Sequence, residues 1–150
     1  MRYLLGLVAF SLLVGFSSCT ELSDELSMTC KVDGADFEAS AVVSTLKDDV
    51  LIVTGTKGVD EQCQIILYDC TATGTYEINL NFTEKHIGGF TKGTDTNTDV
   101  YVSSGGLGTG SIVISELSET NVEGTFQFTA KNTEGAEVSV TEGAFKSTLQ

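Results

Sequence analysis

The chain has 150 residues, 21 acidic against 8 basic, for a formal net charge of −13. That balance excludes a nucleic-acid binder and disfavours anionic lipid headgroups, because both repel an acidic surface. With no Pro, no Trp and 16 Gly, turns must be made by Gly, Asn and Asp, which points to an all-β chain with tight turns.

Residues 1–18 read as an export leader. Arg2 is the only charge, residues 3–16 are an apolar run broken only by Gly6, Ser11 and Gly15, and Ser17 and Ser18 give a small-residue exit. At 14 residues the run is shorter than the ~20 needed to span a bilayer as a helix. Phe16-Ser17-Ser18-Cys19 resembles the bacterial lipobox, with Phe16 where Leu is usual. The resemblance implies that Cys19 carries diacylglycerol and further acyl chains such as palmitate, and is the mature N-terminus. Each buried CH₂ contributes about 0.8 kcal/mol, so two or three chains anchor firmly where one would not. Losing the leader removes Arg2 and no acid, leaving a net charge of −14.

Residues 19–27 form an acidic tether with Glu21, Asp24 and Glu25. It resembles the surface-export signal of Bacteroidota lipoproteins, and it equally suits a solvated spacer. Residues 28–150 are the folded domain, long enough to bury a core.

Its strands follow in order. Met28, Cys30 and Val32 alternate with Thr29 and Lys31, and Asp33-Gly34 is a strong two-residue hairpin turn. Residues 35–43 read as one returning strand. Lys47-Asp48-Asp49 turns, and residues 50–54 and 65–68 are apolar runs that read as covered on both faces. Tyr76, Ile78, Leu80 and Phe82 alternate with polar residues. Residues 84–99 hold a short strand near 87–91 and a long polar loop, and residues 100–103 a short strand. Residues 104–110 are a glycine-rich loop without the following helix or Lys of a phosphate loop. Residues 111–116 place Ile112 and Ile114 on one face. Residues 122–131 put Phe126, Phe128 and Ala130 inward, and 137–141 put Val138 and Val140 inward. Glu142-Gly143 bends, and residues 144–149 close the fold around Phe145. About ten antiparallel strands and no helical stripe predict an antiparallel β-sandwich; the alternative is a closed lipocalin-like barrel.

Several pieces share one pattern: the opening strand with Asp33-Gly34, Thr73-Gly74-Thr75-Tyr76, the hairpin through Gly124-Thr125-Phe126-Gln127-Phe128, and Gly143-Ala144-Phe145 near the end. Their order resembles a Bacteroidota family of small lipid-anchored β domains of unknown function. The resemblance implies fold and location, and carries no activity.

The chemistry-bearing residues are few. Cys63 and Cys70 cannot bridge along one strand, where seven steps span about 23 Å. Cys30 with Cys63 or with Cys70 is the pairing open to the chain. With Cys19 lipidated, at least one thiol stays free. Asp95, Asn97 and Asp99 alternate along a flexible loop as weak calcium candidates, but Val100 and Gly106 stand where an EF-hand needs Gly and Glu. His86 is the one histidine, and nothing in the spacing selects a partner for it among Cys63, Cys70 and Ser103. Tyr68, Phe90 and Tyr101 are the candidates for an exposed aromatic patch that would take glycan or peptide.

The expectation is therefore a cell-envelope lipoprotein, in the outer membrane on its periplasmic or surface face. It has no enzyme activity, cofactor or resident metal, and contacts the membrane through its N-terminal lipid. Its domain is expected to be a binding or accessory module for a partner the sequence does not name. The alternatives are a structural or adhesion component of the outer membrane, associating through strand edges, and a small apolar-ligand carrier.

Overall fold

A computed structural model of the protein describes residues 26–79 and 85–150. The leader, Cys19 and most of the tether lie outside the described residues, as do Leu80 and Phe82. The described residues hold no helix and eleven strands: β1 (Ser27–Val32), β2 (Ala35–Glu38), β3 (Ala41–Lys47), β4 (Val50–Lys57), β5 (Glu61–Leu67), β6 (Gly74–Ile78), β7 (Ile87–Lys92), β8 (Val100–Val102), β9 (Gly110–Leu117), β10 (Asn121–Lys131) and β11 (Glu137–Thr148). The all-β antiparallel expectation holds.

All of them belong to one curled sheet, in the order β2-β1-β11-β10-β8-β7-β5-β4-β3, with β9 on β10 and β6 on β9. The curl folds the sheet into a half-barrel, so sandwich and barrel describe the same partly closed arrangement. The change of layer happens along β10. Its residues 122–128 pair with β9, while Lys131 at its end pairs with Val102 of β8. One half is thus β6-β9-β10-β11-β1-β2 and the other β8-β7-β5-β4-β3. At the opposite corner the Gln150 amide donates to the Ser44 carbonyl at 3.0 Å, tying the C-terminus to β3.

The returning strand expected over 35–43 is two strands. The chain leaves β2 at Ala39, whose N–H donates to Met28 O, and enters the other half at Ser40, whose N–H donates to Thr56 O. The Ser40 hydroxyl donates to the same carbonyl. No Gly or Pro marks this corner, because each amide simply exchanges one layer's ladder for the other's. The Asp33-Gly34 turn forms as expected, with φ of 49° and 84° suited to a type I′ hairpin. The expected bend at Glu142-Gly143 is a β-bulge inside an unbroken β11: Phe126 pairs with Gly143 and Phe128 with Val140, so Thr141 and Glu142 both face Gln127. The bulge places Glu142 at φ 52°.

The core lies between the halves. Met28, Leu51, Val53, Ile65, Leu67, Ile112 and Phe145 are buried within it, with the Phe126 ring 6.2 Å from both Phe128 and Phe145. The runs in β4 and β5 were expected to be covered on both faces. Instead Leu51, Val53, Cys63, Ile65 and Leu67 point inward and are buried, while Val50, Ile52 and Ile66 point outward and are only half-buried. An outward β-branched side chain shields itself partly against its cross-strand neighbours, so an apolar run does not require a third layer.

Candidate functional site

Two facing ladders build the most chemically distinctive region. In the first, Cys30 of β1 lies directly opposite Phe37 of β2. In the second, Cys63 of β5 lies opposite Phe90 of β7. The curl brings the ladders face to face. The Phe37 and Phe90 rings meet edge-on, centroids 5.9 Å apart at 86°, and the Cys63 and Cys30 thiols lie close enough to shift each other's pKa. Four residues thus form a square with two aromatic and two sulfur corners.

On the aromatic side the square opens to solvent. A pocket of about 250 Å³ is lined by Phe37 and Phe90, with Lys57, Lys92, Asp33 and Asp36 among its other residues. Lys57 Nζ lies 5.9 Å from the Phe37 ring centre and 3.2 Å from Glu61. Lys92 Nζ lies 5.0 Å from the Tyr101 ring centre. A hydrogen bond to Tyr101, with Asp99 and Asp33 nearby, holds the Lys92 ammonium above its ordinary pKa. The pocket is aromatic at its floor and doubly signed at its rim, a combination that suits a peptide-like or glycan-like surface group rather than a bare anion. It is smaller than the ~300–1,000 Å³ of drug-sized ligand sites.

The expected exposed aromatic patch takes a different form. Phe90 and Tyr101 are a cross-strand pair buried in the interior, and Tyr68 is half-buried. Phe90 is buried and lines the pocket. Phe37, Lys57 and Lys92 carried no signal in the sequence, since a lone Phe or Lys on a strand says nothing about what the curl will set against it.

The three described thiols are free and buried. Of the two pairings open in the sequence, the structure brings Cys30 to Cys63. The hydrogen bond from Cys63 lowers the Cys30 pKa, while donating that bond, burial and the nearby Cys30 charge push Cys63 well above the usual thiol value. Cys70 instead meets Tyr76. Burial raises its pKa, the Tyr76 contact opposes the rise and Asp49 adds to it. Tyr76 in turn donates its hydroxyl to Ala72 O at 2.6 Å and meets His86 edge-on at 5.3 Å. His86 Nδ1 accepts the Tyr68 N–H at 3.3 Å. His86 therefore sits in a packed Cys70-Tyr76-His86 cluster in which the thiol is held protonated. Ser103 is buried, and its hydroxyl accepts the Gly88 N–H at 2.7 Å.

The loop with Asp95, Asn97 and Asp99 satisfies itself. Asp95 Oδ1 accepts the Asn97 N–H at 2.8 Å, Asp99 Oδ2 accepts the Asp95 N–H at 3.0 Å, and Asp99 Oδ1 accepts the Thr98 hydroxyl at 3.3 Å. The Asn132 amide and the Thr133 hydroxyl then pin it by donating to Thr98 O and Asn97 O. Alternating oxygens here serve an Asx turn. Among the described residues, no group of three or more His, Cys, Asp or Glu is placed to hold a metal. The glycine-rich loop is structural as well, with Gly108 lying tight against the Thr129 carbonyl.

Residues 24–148 match the family described as Domain of unknown function (DUF6252). The chain belongs to this family. No curated protein and no solved structure matches it. No helix among the described residues is long and apolar enough to cross a membrane.

Proposed function

We propose that this DUF6252 chain is a lipid-anchored cell-envelope protein of Bacteroidota type, held in the outer membrane by Cys19, whose β domain is a non-catalytic binding or accessory module. The carrying observation is the spacing of anchor and fold. The lipobox-like Phe16-Ser17-Ser18-Cys19 ends the leader, and β1 starts only at Ser27. Eight residues at ~3.3–3.6 Å each reach no further than about 28 Å. The domain is therefore held near the bilayer surface, and its acidic charge keeps it off the headgroups.

A binding role is supported by the Phe37–Phe90 pocket with its lysine and carboxylate rim. For Cys70 a non-catalytic role is supported by burial, which raises its pKa and keeps the thiol protonated. The carrier alternative has less support, since the space between the halves is filled by core side chains. Edge-to-edge assembly has less support at two of the edges: β2 is four residues long with Asp36 and Glu38 on it, and the Ser44 carbonyl of β3 is taken by Gln150.

Membrane fractionation of the wild type and Cys19→Ser tests the anchor. The wild type is expected in the membrane fraction with acyl mass on the N-terminal peptide, and the variant is expected to lose both. Identical fractionation of the two overturns the lipoprotein reading.

A further inference from the structure

The sulfur side of the square goes beyond packing. Facing β layers usually lie about 10 Å apart, whereas a disulfide needs Cα atoms within about 4.4–6.8 Å. Here one inward position between the layers carries no side chain. Gly55 of β4 is the direct cross-strand neighbour of Cys63. A Cβ on Gly55 would stand only 2.6 Å from Met28 Sδ and 3.0 Å from the Cβ atoms of Met28 and Ala39. Met28 lies two residues before Cys30 on the same inward face of β1. The missing side chain at Gly55 thus lets β1 settle onto β4 and β5 beside the two thiols. The edge-on contact of Phe37 with Phe90 fixes the approach from the other side.

We infer that Cys30 and Cys63 are the site of an oxidative cross-link, a disulfide that staples the first strand of the domain to the opposite half of the sheet and leaves Cys70 as the free thiol among the described residues. The oxidant is a disulfide donor, such as a thiol–disulfide oxidoreductase in its oxidised form or oxidised glutathione. The Cys30 thiolate attacks one donor sulfur, forming a mixed disulfide and releasing the donor's other sulfur as a thiolate. Cys63 then loses its proton to that leaving thiolate and attacks the Cys30 sulfur, releasing the second donor thiol. Two cysteine thiols give up two electrons and two protons, and one donor disulfide becomes two thiols.

Cys30 is the entry point for three reasons. Its hydrogen bond from Cys63 favours the thiolate. It is 4% exposed where Cys63 is fully buried. It also lies next to β2, a four-residue edge strand whose lifting uncovers it. Cys70 takes no part because its sulfur is held against the Tyr76 hydroxyl.

The pairing rests on this geometry alone. Its use in the cell rests on the envelope reading, since a reducing cytosol would keep both thiols free. The purified full chain, refolded in oxidised glutathione, is digested after thiol alkylation and mapped by mass, with a dithiothreitol-treated sample beside it. The expected result is one linked peptide pair, Cys30 with Cys63, with Cys70 alkylated in both samples. Cys70→Ala is expected to oxidise in the same way. Oxidation is expected to shift the unfolding equilibrium toward the folded state on the order of a hundred-fold, an effect absent in Cys63→Ser. A link through Cys70, a glutathione adduct left unresolved on Cys30, or alkylation of both Cys30 and Cys63 after oxidation overturns the proposal. Fractionation of Cys19→Ser does not enter this readout, so the two readings fail separately.

Discussion

The β9–β10–β11 half and the β3–β4–β5 meander are both antiparallel and both buried on one face, yet they are held by different physics. In the first, backbone and ring interlock. Gly124 lies opposite Phe145, and Phe126 opposite Gly143. A Cβ on Gly143 would come within 2.5 Å of the Phe126 ring, and one on Gly124 within 2.9 Å of the Phe145 ring. Each ring lies over the bare backbone of the partner strand. In the second region, Leu51, Val53, Ile65 and Leu67 fill an inward face by aliphatic area, in strict alternation. Shape sets the first region and area the second. The first should therefore be intolerant of a single added methyl, and the second tolerant of a removed one.

The largest effects test that contrast directly. Gly143→Ala or Gly124→Ala is expected to destabilise by about 3 kcal/mol, since the added carbon meets an immobile ring. Ile65→Val is expected to cost only about 1 kcal/mol. Urea unfolding of the three variants measures both, and comparable costs in the two regions would dissolve the distinction.

Ser44 sharpens the same comparison within the meander. Its hydroxyl is fully buried in β3 without a hydrogen-bond partner among the described residues, and an unpaired buried polar group costs on the order of 1–3 kcal/mol. Ser44→Ala keeps nearly the same volume and is expected to stabilise by about 1 kcal/mol. A loss of stability would mean that the hydroxyl is satisfied in solution.

The smallest effect concerns the bulge that lets β11 continue past Gly143. Lys31 bonds Glu142 at 2.9 Å across the bulge. That hydrogen bond and the carboxylate charge raise the Lys31 pKa above 10.5. A raised lysine contributes stability that is fully present below its unfolded value and lost as pH climbs through the folded one. The melting temperature of the wild type should therefore fall toward that of Glu142→Gln only above pH ~10.4. The pair is exposed, so the difference at neutral pH should be slight. A gap that widens with rising pH would have the wrong sign.

Much of the strand content was legible in the residues. The alternation in 122–131 names the buried Phe126, Phe128 and Ala130, and Asp33-Gly34 names its own turn, because strand periodicity and turn chemistry are local. The corner at Ala39 and Ser40 was not legible. Neither residue is a turn former, and the corner exists only because two ladders compete for adjacent amides. The apolar runs of β4 and β5 misled for a related reason: composition does not report whether a half-buried outward Ile has a layer above it. For the site, Cys30 was legible as inward-facing, but its preference for Cys63 over Cys70 was not.

By itself, the sequence determined that this is an acidic all-β chain with turns made without proline. These follow from charge, from a period of two and from residues that tolerate positive φ, none of which needs a distant partner. Tertiary structure alone decided that the sheet curls as one piece, that β10 divides its edge between β9 and β8, and that Phe37 meets Phe90 while Cys30 meets Cys63. Those pairings join residues about 30 to 50 positions apart. They depend on how closely two layers can approach, and at Gly55 that approach is set by a side chain that is not there.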